Sequence, residues 1–253
     1  MAKKIVIGNW KMNPGGMDEA IALFEEISAG IKRITSTRVI VCPPYSFLES
    51  LASLYLPKID IGAQDCFFSD AGSHTGEISP EMIKSVGGKY VILGHSERRA
   101  LGDSDDLINK KVKSALASGL KVILCVGESA RDESGEYLNY IKNQLVSDLT
   151  KIKKDQLKNL LIAYEPIWAI GKDATRSDNP QDVMEVRIFI KKILAEMFSR
   201  EVGIRVPVIY GGSVETKNCH EYIHEGGVDG LLVGRNSLNA KKFVEIIKIV
   251  DEF

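Results

Sequence analysis

Eight short apolar segments recur along the chain and alternate with longer amphipathic ones. Most of the eight are continuously apolar instead of alternating between apolar and polar, which is typical of strands in a parallel sheet whose two faces are both covered. The segments are residues 5–7, 39–42, 59–61, 90–93, 122–126, 160–164, 208–210 and 231–233. The pattern therefore predicts eight parallel strands separated by helices.

The segments between these strands show the 3.6-residue period of amphipathic helices, most clearly over residues 21–31, 138–149 and 183–197. At the start of the last of these, Asn179 is placed to cap the helix and Pro180 to occupy its first turn. Glycines precede several strands, as expected where a helix ends and turns into the next strand. These glycines are Gly87, Gly88, Gly119, Gly226 and Gly227. A unit of helix, glycine and strand thus repeats along the chain.

The repetition continues through 253 residues without a linker or a break in composition. A length of roughly 250 residues is typical of a single closed barrel of alternating strands and helices. The main competitor is an open, doubly wound sheet that binds dinucleotides, but the turn Gly8-Asn9-Trp10-Lys11 after the first strand lacks the required glycine pattern. We predict one α/β domain over residues 1–253, folded as a closed eight-stranded parallel (β/α)8 barrel.

Charge and cysteine content exclude several classes of function. The chain has 33 basic and 34 acidic residues, which gives no reason to expect binding to nucleic acid. No apolar run reaches the roughly 18 residues of a membrane span, so we expect no membrane association. The four cysteines, Cys42, Cys66, Cys125 and Cys219, are widely spaced and form no C-x-x-C pair. Reduced thiols and a cytoplasmic location are therefore expected.

Polar residues follow five of the predicted strands at the point where each strand ends. In a closed barrel the carboxyl ends of all strands meet at one face, so residues far apart in sequence become neighbours there. These residues are Asn9 and Lys11 after the first strand, His95, Ser96 and Glu97 after the fourth, Glu165 after the sixth, Gly211, Gly212 and Ser213 after the seventh, and Gly234 and Arg235 after the eighth. The sequence therefore predicts a functional site at this face.

The residue types at this face suit a particular chemistry. Glycine-containing turns offer backbone N–H groups to a phosphate dianion, and Lys11 adds a positive charge. Glu165 is a candidate base and His95 a candidate proton donor, the pairing needed to remove a proton beside a carbonyl and stabilise the enediolate. Taken alone, Glu165 could instead form a structural ion pair and His95 could be a structural histidine.

Five separated motifs resemble the triosephosphate isomerase family, and they occur in that family's order. They are residues 8–13, residues 94–99, residues 163–171, residues 210–213 and residues 229–234. The resemblance spans the whole chain and implies a TIM barrel without metal or organic cofactor. It also implies interconversion of dihydroxyacetone phosphate and glyceraldehyde 3-phosphate through an enediolate, and this family is the standard example of a glutamate base paired with a neutral histidine.

The resemblance also assigns roles to individual residues. Glu165 would move the proton between the two carbons, His95 would stabilise the substrate oxygens, and Lys11 would compensate charge. Asn9 would help to hold the substrate, Glu97 would orient Lys11, and Ser96 would hold Glu165 while the lid is open. Backbone groups of Gly171, Ser213, Gly234 and Arg235 would bind the phosphate, and residues 166–176 would close as a lid that excludes water.

The chain departs from the family pattern in two places. The family usually continues the lid as Ile-Gly-Thr-Gly-Lys-Thr-Ala, whereas residues 170–176 read Ile-Gly-Lys-Asp-Ala-Thr-Arg and about two further residues precede Pro180. The second departure is Arg235, where the family commonly has a second glycine. Phosphate binding through the Arg235 N–H then requires that this residue does not need a positive φ.

The segment 64–79 resembles the loop with which this family docks onto a second subunit, so we expect a homodimer formed through this loop, including Thr75. His74 stands where an aromatic carbocycle is common, which would make the contact more polar and pH-sensitive. His220 and His224 lie four residues apart, but no third ligand is near in sequence, so no metal site is predicted. A Schiff-base aldolase and a non-catalytic barrel that binds phosphate ligands remain as alternative functions.

Overall fold

The computed structural model describes residues 3–132, 134–169 and 178–253 of the chain. Eight parallel strands form a closed barrel in sequence order, in which β8 pairs with β1. The strands are β1 (Lys4–Asn9), β2 (Thr37–Cys42), β3 (Ile59–Ala63), β4 (Tyr90–Leu93), β5 (Lys121–Val126), β6 (Leu160–Tyr164), β7 (Val208–Tyr210) and β8 (Gly230–Val233). Each lies at a predicted apolar segment, so the predicted strands and the closed (β/α)8 architecture are confirmed.

Helices connect the strands and pack around the barrel. They are α1 (Met17–Gly30), α2 (Tyr45–Ala52), α3 (Pro80–Ser85), α4 (Ser96–Ala100), α5 (Asp105–Ser118), α6 (Glu136–Asp148), α7 (Pro180–Met197), α8 (Arg200–Gly203), α9 (Cys219–His224) and α10 (Ala240–Val250). Short 3₁₀ helices cover Lys154–Asn159, Ile167–Ala169 and Arg235–Leu238. The helices predicted over residues 21–31, 138–149 and 183–197 correspond to α1, α6 and α7.

The predicted start of α7 is confirmed in detail. The side chain of Asn179 accepts a hydrogen bond of 2.8 Å from the backbone N–H of Asp182, and Pro180 occupies the first turn. At the end of α5, Gly119 adopts a φ of +88°, and the N–H of Leu120 donates to the Ala115 carbonyl at 3.0 Å. This left-handed glycine ends the helix and directs the chain into β5, as the glycine pattern predicts.

The hydrophobic core has two layers, separated by the barrel wall. The outer layer fills the space between strands and helices. The inner layer closes the centre of the barrel and consists of Ile5, Ile7, Ile40, Cys42, Tyr90, Ile92, Ile123, Cys125, Leu161, Ala163, Ile209 and Leu232. Because these side chains pack the interior, the barrel is not a pore, and a small molecule can be held only at the ends of the strands.

No helix among the described residues is long and apolar enough to cross a membrane. All four cysteines are buried and carry free thiols.

Candidate active site

His95 and Glu165 lie in contact at the carboxyl ends of the strands. Glu165 directly follows β6, and His95 lies between Gly94, the residue after β4, and Ser96, the first residue of α4. The Nε2 atom of His95 is 3.3 Å from Oε1 of Glu165, and the backbone N–H of Ser96 donates to Oε2 at 3.1 Å. Both side chains are buried, Glu165 with only 2% of its surface exposed. A buried acid and an imidazole in contact are suited to proton transfer.

The position of Glu165 follows from how β6 ends. Its N–H donates to the Val126 carbonyl of β5 at 2.9 Å, and the following proline cannot continue the ladder. A Cβ atom at Gly127 would lie 1.8 Å from the Glu165 carbonyl oxygen, so only glycine fits at position 127. A Cβ atom at Gly211 would lie 3.0 Å from Cγ of Glu165. Gly127 therefore leaves room for the backbone of Glu165, and Gly211 leaves room for its side chain.

The hydrogen bonds of His95 define its tautomer. The backbone N–H of Glu97 donates to Nδ1 at 3.2 Å, so Nδ1 is an acceptor and carries no proton. A neutral imidazole then has its proton on Nε2, the atom that faces Glu165. Nε2 can therefore donate a hydrogen bond to an oxygen that enters the site.

Lys11 is held in an unusual backbone conformation, with a φ of +54°. Its N–H donates to Oδ1 of Asn9 at 3.0 Å, and Nε2 of Gln64 donates to its carbonyl at 2.8 Å. The Lys11 Nζ atom lies 2.6 Å from the carboxylate of Glu97, whose side chain is 58% exposed. Such an exposed pair adds little stability, so its main effect is to orient the Lys11 side chain at the rim.

The turns after β7 and β8 present unused backbone donors. The N–H groups of Ser213 and Arg235 donate to no acceptor within the described parts of the chain. The two turns are joined, because Nδ2 of Asn236 donates to the Val214 carbonyl at 2.6 Å. Arg235 is not among the residues with positive φ, so the turn accepts an arginine without backbone strain. Free backbone N–H groups on two joined turns are suited to binding a phosphate.

Three residues at this face were not singled out from the sequence. Nε2 of Gln64 fixes Lys11 and also donates to the Cys42 carbonyl at 2.9 Å. The thiol of Cys125 contacts the Glu165 carboxylate, and burial, followed by this negative charge, raises the thiol pKa. Glu128 is buried and accepts hydrogen bonds from the Tyr164 hydroxyl at 2.9 Å and from Trp168 Nε1 at 2.7 Å. Gln64 and Glu128 follow β3 and β5, so the strand-end rule applies to them as well.

Glu128 connects the body of the barrel to the beginning of the predicted lid. Besides the Trp168 bond, its carbonyl accepts from the N–H of Ile167 at 3.0 Å. Burial raises the pKa of the Glu128 carboxyl, while the two side-chain donors oppose that shift. The rest of the predicted lid, including Gly171 and the unusual residues 172–177, lies outside the described residues.

Within the described chain, no three His, Cys, Asp or Glu side chains come together as a metal site. The rings of His220 and His224 stack with centroids 5.6 Å apart and lie against Phe253. These histidines are therefore part of an aromatic cluster near the end of the chain.

Comparison with known proteins identifies similar chains along nearly the full length. A family model described as triosephosphate isomerase matches residues 4–250. A triosephosphate isomerase from Carboxydothermus hydrogenoformans is 41% identical over 251 residues, which cover 98% of this chain and 99% of that protein. One from Herpetosiphon aurantiacus is also 41% identical over 251 residues, with the same coverage, and one from Natranaerobius thermophilus is 38% identical over 259 residues, covering 100% of this chain and 98% of that protein.

Proposed function

The chain belongs to the triosephosphate isomerase family, and we propose how its own residues carry out that family's reaction. Its activity is that of an intramolecular isomerase that interconverts dihydroxyacetone phosphate and glyceraldehyde 3-phosphate. Family membership decides among the functions that the sequence left open, and an aldolase or a non-catalytic barrel is no longer needed as an alternative. The observation that carries the proposed mechanism is the contact between Glu165 and His95.

We assign the role of base to Glu165. Its carboxylate is buried, accepts from the Ser96 N–H and lies next to a histidine, and these contacts fix its position at the carboxyl end of β6 before substrate binds. It would remove the proton from the carbon beside the carbonyl and return it to the neighbouring carbon. A positioned base of this kind contributes about 100- to 10,000-fold to the rate.

His95 would act as a neutral proton donor to the substrate oxygens. The N–H of Glu97 occupies Nδ1 and leaves the proton on Nε2, which supports this role. When a substrate oxygen replaces the Glu165 carboxylate as the partner of Nε2, the same proton stabilises charge that develops on the enediolate. Lys11 and Asn9 would contact the substrate on the other side of the mouth, with Glu97 orienting Lys11.

The substrate phosphate would bind to the free N–H groups of Ser213 and Arg235, with Gly234 between β8 and the second turn. The hydrogen bond from Asn236 to Val214 supports this proposal because it keeps the two donors in register. Gly171 and closure of residues 166–176 complete the proposed site on the side of the lid. Holding the phosphate at a fixed place orients the reacting carbons and reduces the entropic cost of reaction.

We also propose a homodimer formed through segment 64–79, a single domain over residues 1–253 and a cytoplasmic location. Exposed apolar side chains next to that segment support the dimer, since Met12 is 93% exposed beside Lys11. The tip of the segment packs on itself, with the rings of Phe67 and His74 4.5 Å apart, and presents Thr75 to solvent. Four free thiols are consistent with a reducing compartment.

A coupled assay with the variant Glu165→Gln tests the assignment of the base. Glutamine has nearly the same volume and fits beside Gly211, but it cannot accept the proton, so we expect kcat to fall by about 100- to 10,000-fold with folding intact. Inhibition by inorganic phosphate should persist, because the phosphate turns are unchanged. Glu196→Gln, at an exposed position on α7, serves as the control with normal turnover. Near-normal turnover in Glu165→Gln would show that another group is the base.

A further inference from the structure

The described rim of the barrel has little free positive charge to offer a phosphate. Lys11 is paired with Glu97 at 2.6 Å, and Glu165 adds a second carboxylate to the same face. A phosphate monoester loses its second proton with a pKa of about 6, so the substrate is mainly a dianion at neutral pH. The substrate therefore approaches a face where the charge of Lys11 is already balanced by a carboxylate.

Arg235 follows a glycine that lies close to Lys11. It directly follows Gly234, where an added Cβ atom would lie 3.5 Å from Cε and 4.0 Å from Nζ of Lys11. Its side chain is exposed, and it makes no hydrogen bond or ion pair with any of the residues that the structure describes. The turn that carries it is fixed to the other phosphate turn through Asn236 and Val214. An unpaired guanidinium is thus attached to a rigid backbone at the phosphate end of the site.

We propose that the Arg235 side chain is a specificity-determining contact for the substrate phosphate. This role rests on the proposed phosphate site and adds to it a side-chain cation besides the backbone N–H groups. The guanidinium presents several N–H donors in a planar fork that matches two phosphate oxygens. The contact favours ligands with a phosphate dianion over monoanions and over trioses without a phosphate.

The kinetic signature follows from where the contact is made. The phosphate does not change during the reaction, so its contact with Arg235 is about equally strong in the ground state and the transition state. Losing such a contact raises KM while kcat is retained. Because the side chain is exposed, salt screens the effect, and the expected change is about two- to fivefold at low ionic strength.

The experiment compares Arg235→Gln and Arg235→Lys with the unchanged chain. Arg235→Gln keeps the backbone N–H and removes the charge, so we expect KM for glyceraldehyde 3-phosphate and the inhibition constant of inorganic phosphate to rise about two- to fivefold. Both effects should fade at high salt, and kcat should change less than about twofold. Arg235→Lys should restore part of the phosphate affinity because the charge returns without the fork.

The matched control is Arg33→Gln, which removes the same charge from an exposed position between α1 and β2, at the opposite end of the barrel. An unchanged KM and inhibition constant in Arg235→Gln at low ionic strength would overturn the proposal, as would an equal rise in Arg33→Gln. Calorimetric titration with inorganic phosphate separates this inference from the proposed function. A chain without turnover but with Arg235-dependent phosphate binding would refute the mechanism and leave the contact standing.

Discussion

At the scale of single residues, the carboxylate of Glu165, the proposed base, is positioned by missing side chains as well as by hydrogen bonds. Gly127 allows the β5 end to pass against the Glu165 carbonyl, and Gly211 leaves room for its Cγ. Gly211 also donates its N–H to the Tyr164 carbonyl at 2.8 Å, which joins the β7 turn to β6. A methyl group at Gly211 would meet Cγ at 3.0 Å, closer than ordinary van der Waals contact, so Glu165 would have to move.

We expect Gly211→Ala to reduce activity without unfolding the protein. A shift of the carboxylate by a few tenths of an ångström weakens its alignment with the substrate, and kcat should fall about 10- to 100-fold. The free energy of unfolding should change by less than about 2 kcal/mol, because overpacking and the lower entropy of the unfolded chain act in opposite directions. Steady-state kinetics and urea unfolding measure both quantities.

Gly15→Ala is the matched control, since an added Cβ atom there meets no atom within 4 Å. It should retain the kcat of the unchanged chain. If Gly211→Ala kept full activity, the space beside Glu165 would have no role in placing the carboxylate.

Single residues also show how much of the candidate site can be predicted from the sequence. Glu165 and His95 can be proposed from sequence because each follows a buried strand, and strand ends share one face. The contact of Cys125 is not predicted in this way, and the pairing of Lys11 with Glu97, observed at 2.6 Å, is expected only from the family resemblance. Lys11 and Glu97 are 86 positions apart, and their meeting depends on the registers of the strands between them.

At the scale of secondary-structure elements, the end of α10 is attached to the beginning of β2 by one side chain. The carboxylate of Asp251 accepts hydrogen bonds from the N–H groups of Ser36 and Thr37, both at 2.7 Å, and of Thr35 at 3.1 Å. These N–H groups lie where the chain enters β2, at the end of the barrel opposite the candidate site. Three donors on one ionised acceptor make strong hydrogen bonds.

We therefore expect Asp251→Ala to lower the free energy of unfolding by about 1 to 3 kcal/mol, because three backbone donors lose their acceptor. Asp251→Asn should be intermediate, since its one carbonyl oxygen still accepts. Urea denaturation measures the loss, and kcat should be unaffected because the contact is far from the substrate. The neighbouring exposed residue provides a control in Glu252→Ala, and equal stability of the two alanine variants would contradict the role of Asp251.

Elements differ in how far the sequence predicts them. Most of the strands β1 to β8 contain a continuous apolar run and all are predicted within a few residues, and long helices such as α7 show a clear period and cap. The short elements α4 and the 3₁₀ helix Arg235–Leu238 were not predicted as helices, because four or five residues carry too little periodicity. They form where the chain turns away from the barrel after a strand. The 3₁₀ helix is held there by the Ser237 hydroxyl, which lies within 3.4 Å of the Asn9 carbonyl of β1 and donates to the Gly234 carbonyl at 2.7 Å.

At the scale of the whole molecule, closure of the barrel follows from eight similar units, each of which must bury both faces of its strand. The proposed association with a second chain would have a different origin, in apolar surface that closure leaves uncovered. Met12, Tyr45, Met82 and Leu101 are exposed. Three of them adjoin segment 64–79: Met12 follows Lys11, which binds Gln64; the Tyr45 hydroxyl donates to the Asp65 carbonyl; and Met82 lies in α3, just after the segment.

We expect Thr75→Glu to convert the proposed dimer into a monomer, because a carboxylate buried at an interface without a partner is costly. Light scattering should report twice the chain mass for the unchanged protein between about pH 5 and pH 8, and the single mass for Thr75→Glu at low concentration. Ile204→Glu, at an exposed apolar position remote in sequence from segment 64–79, is the control and should remain dimeric. A monomer at every pH for the unchanged chain would refute the dimer, and a dimeric Thr75→Glu would move the interface away from this segment.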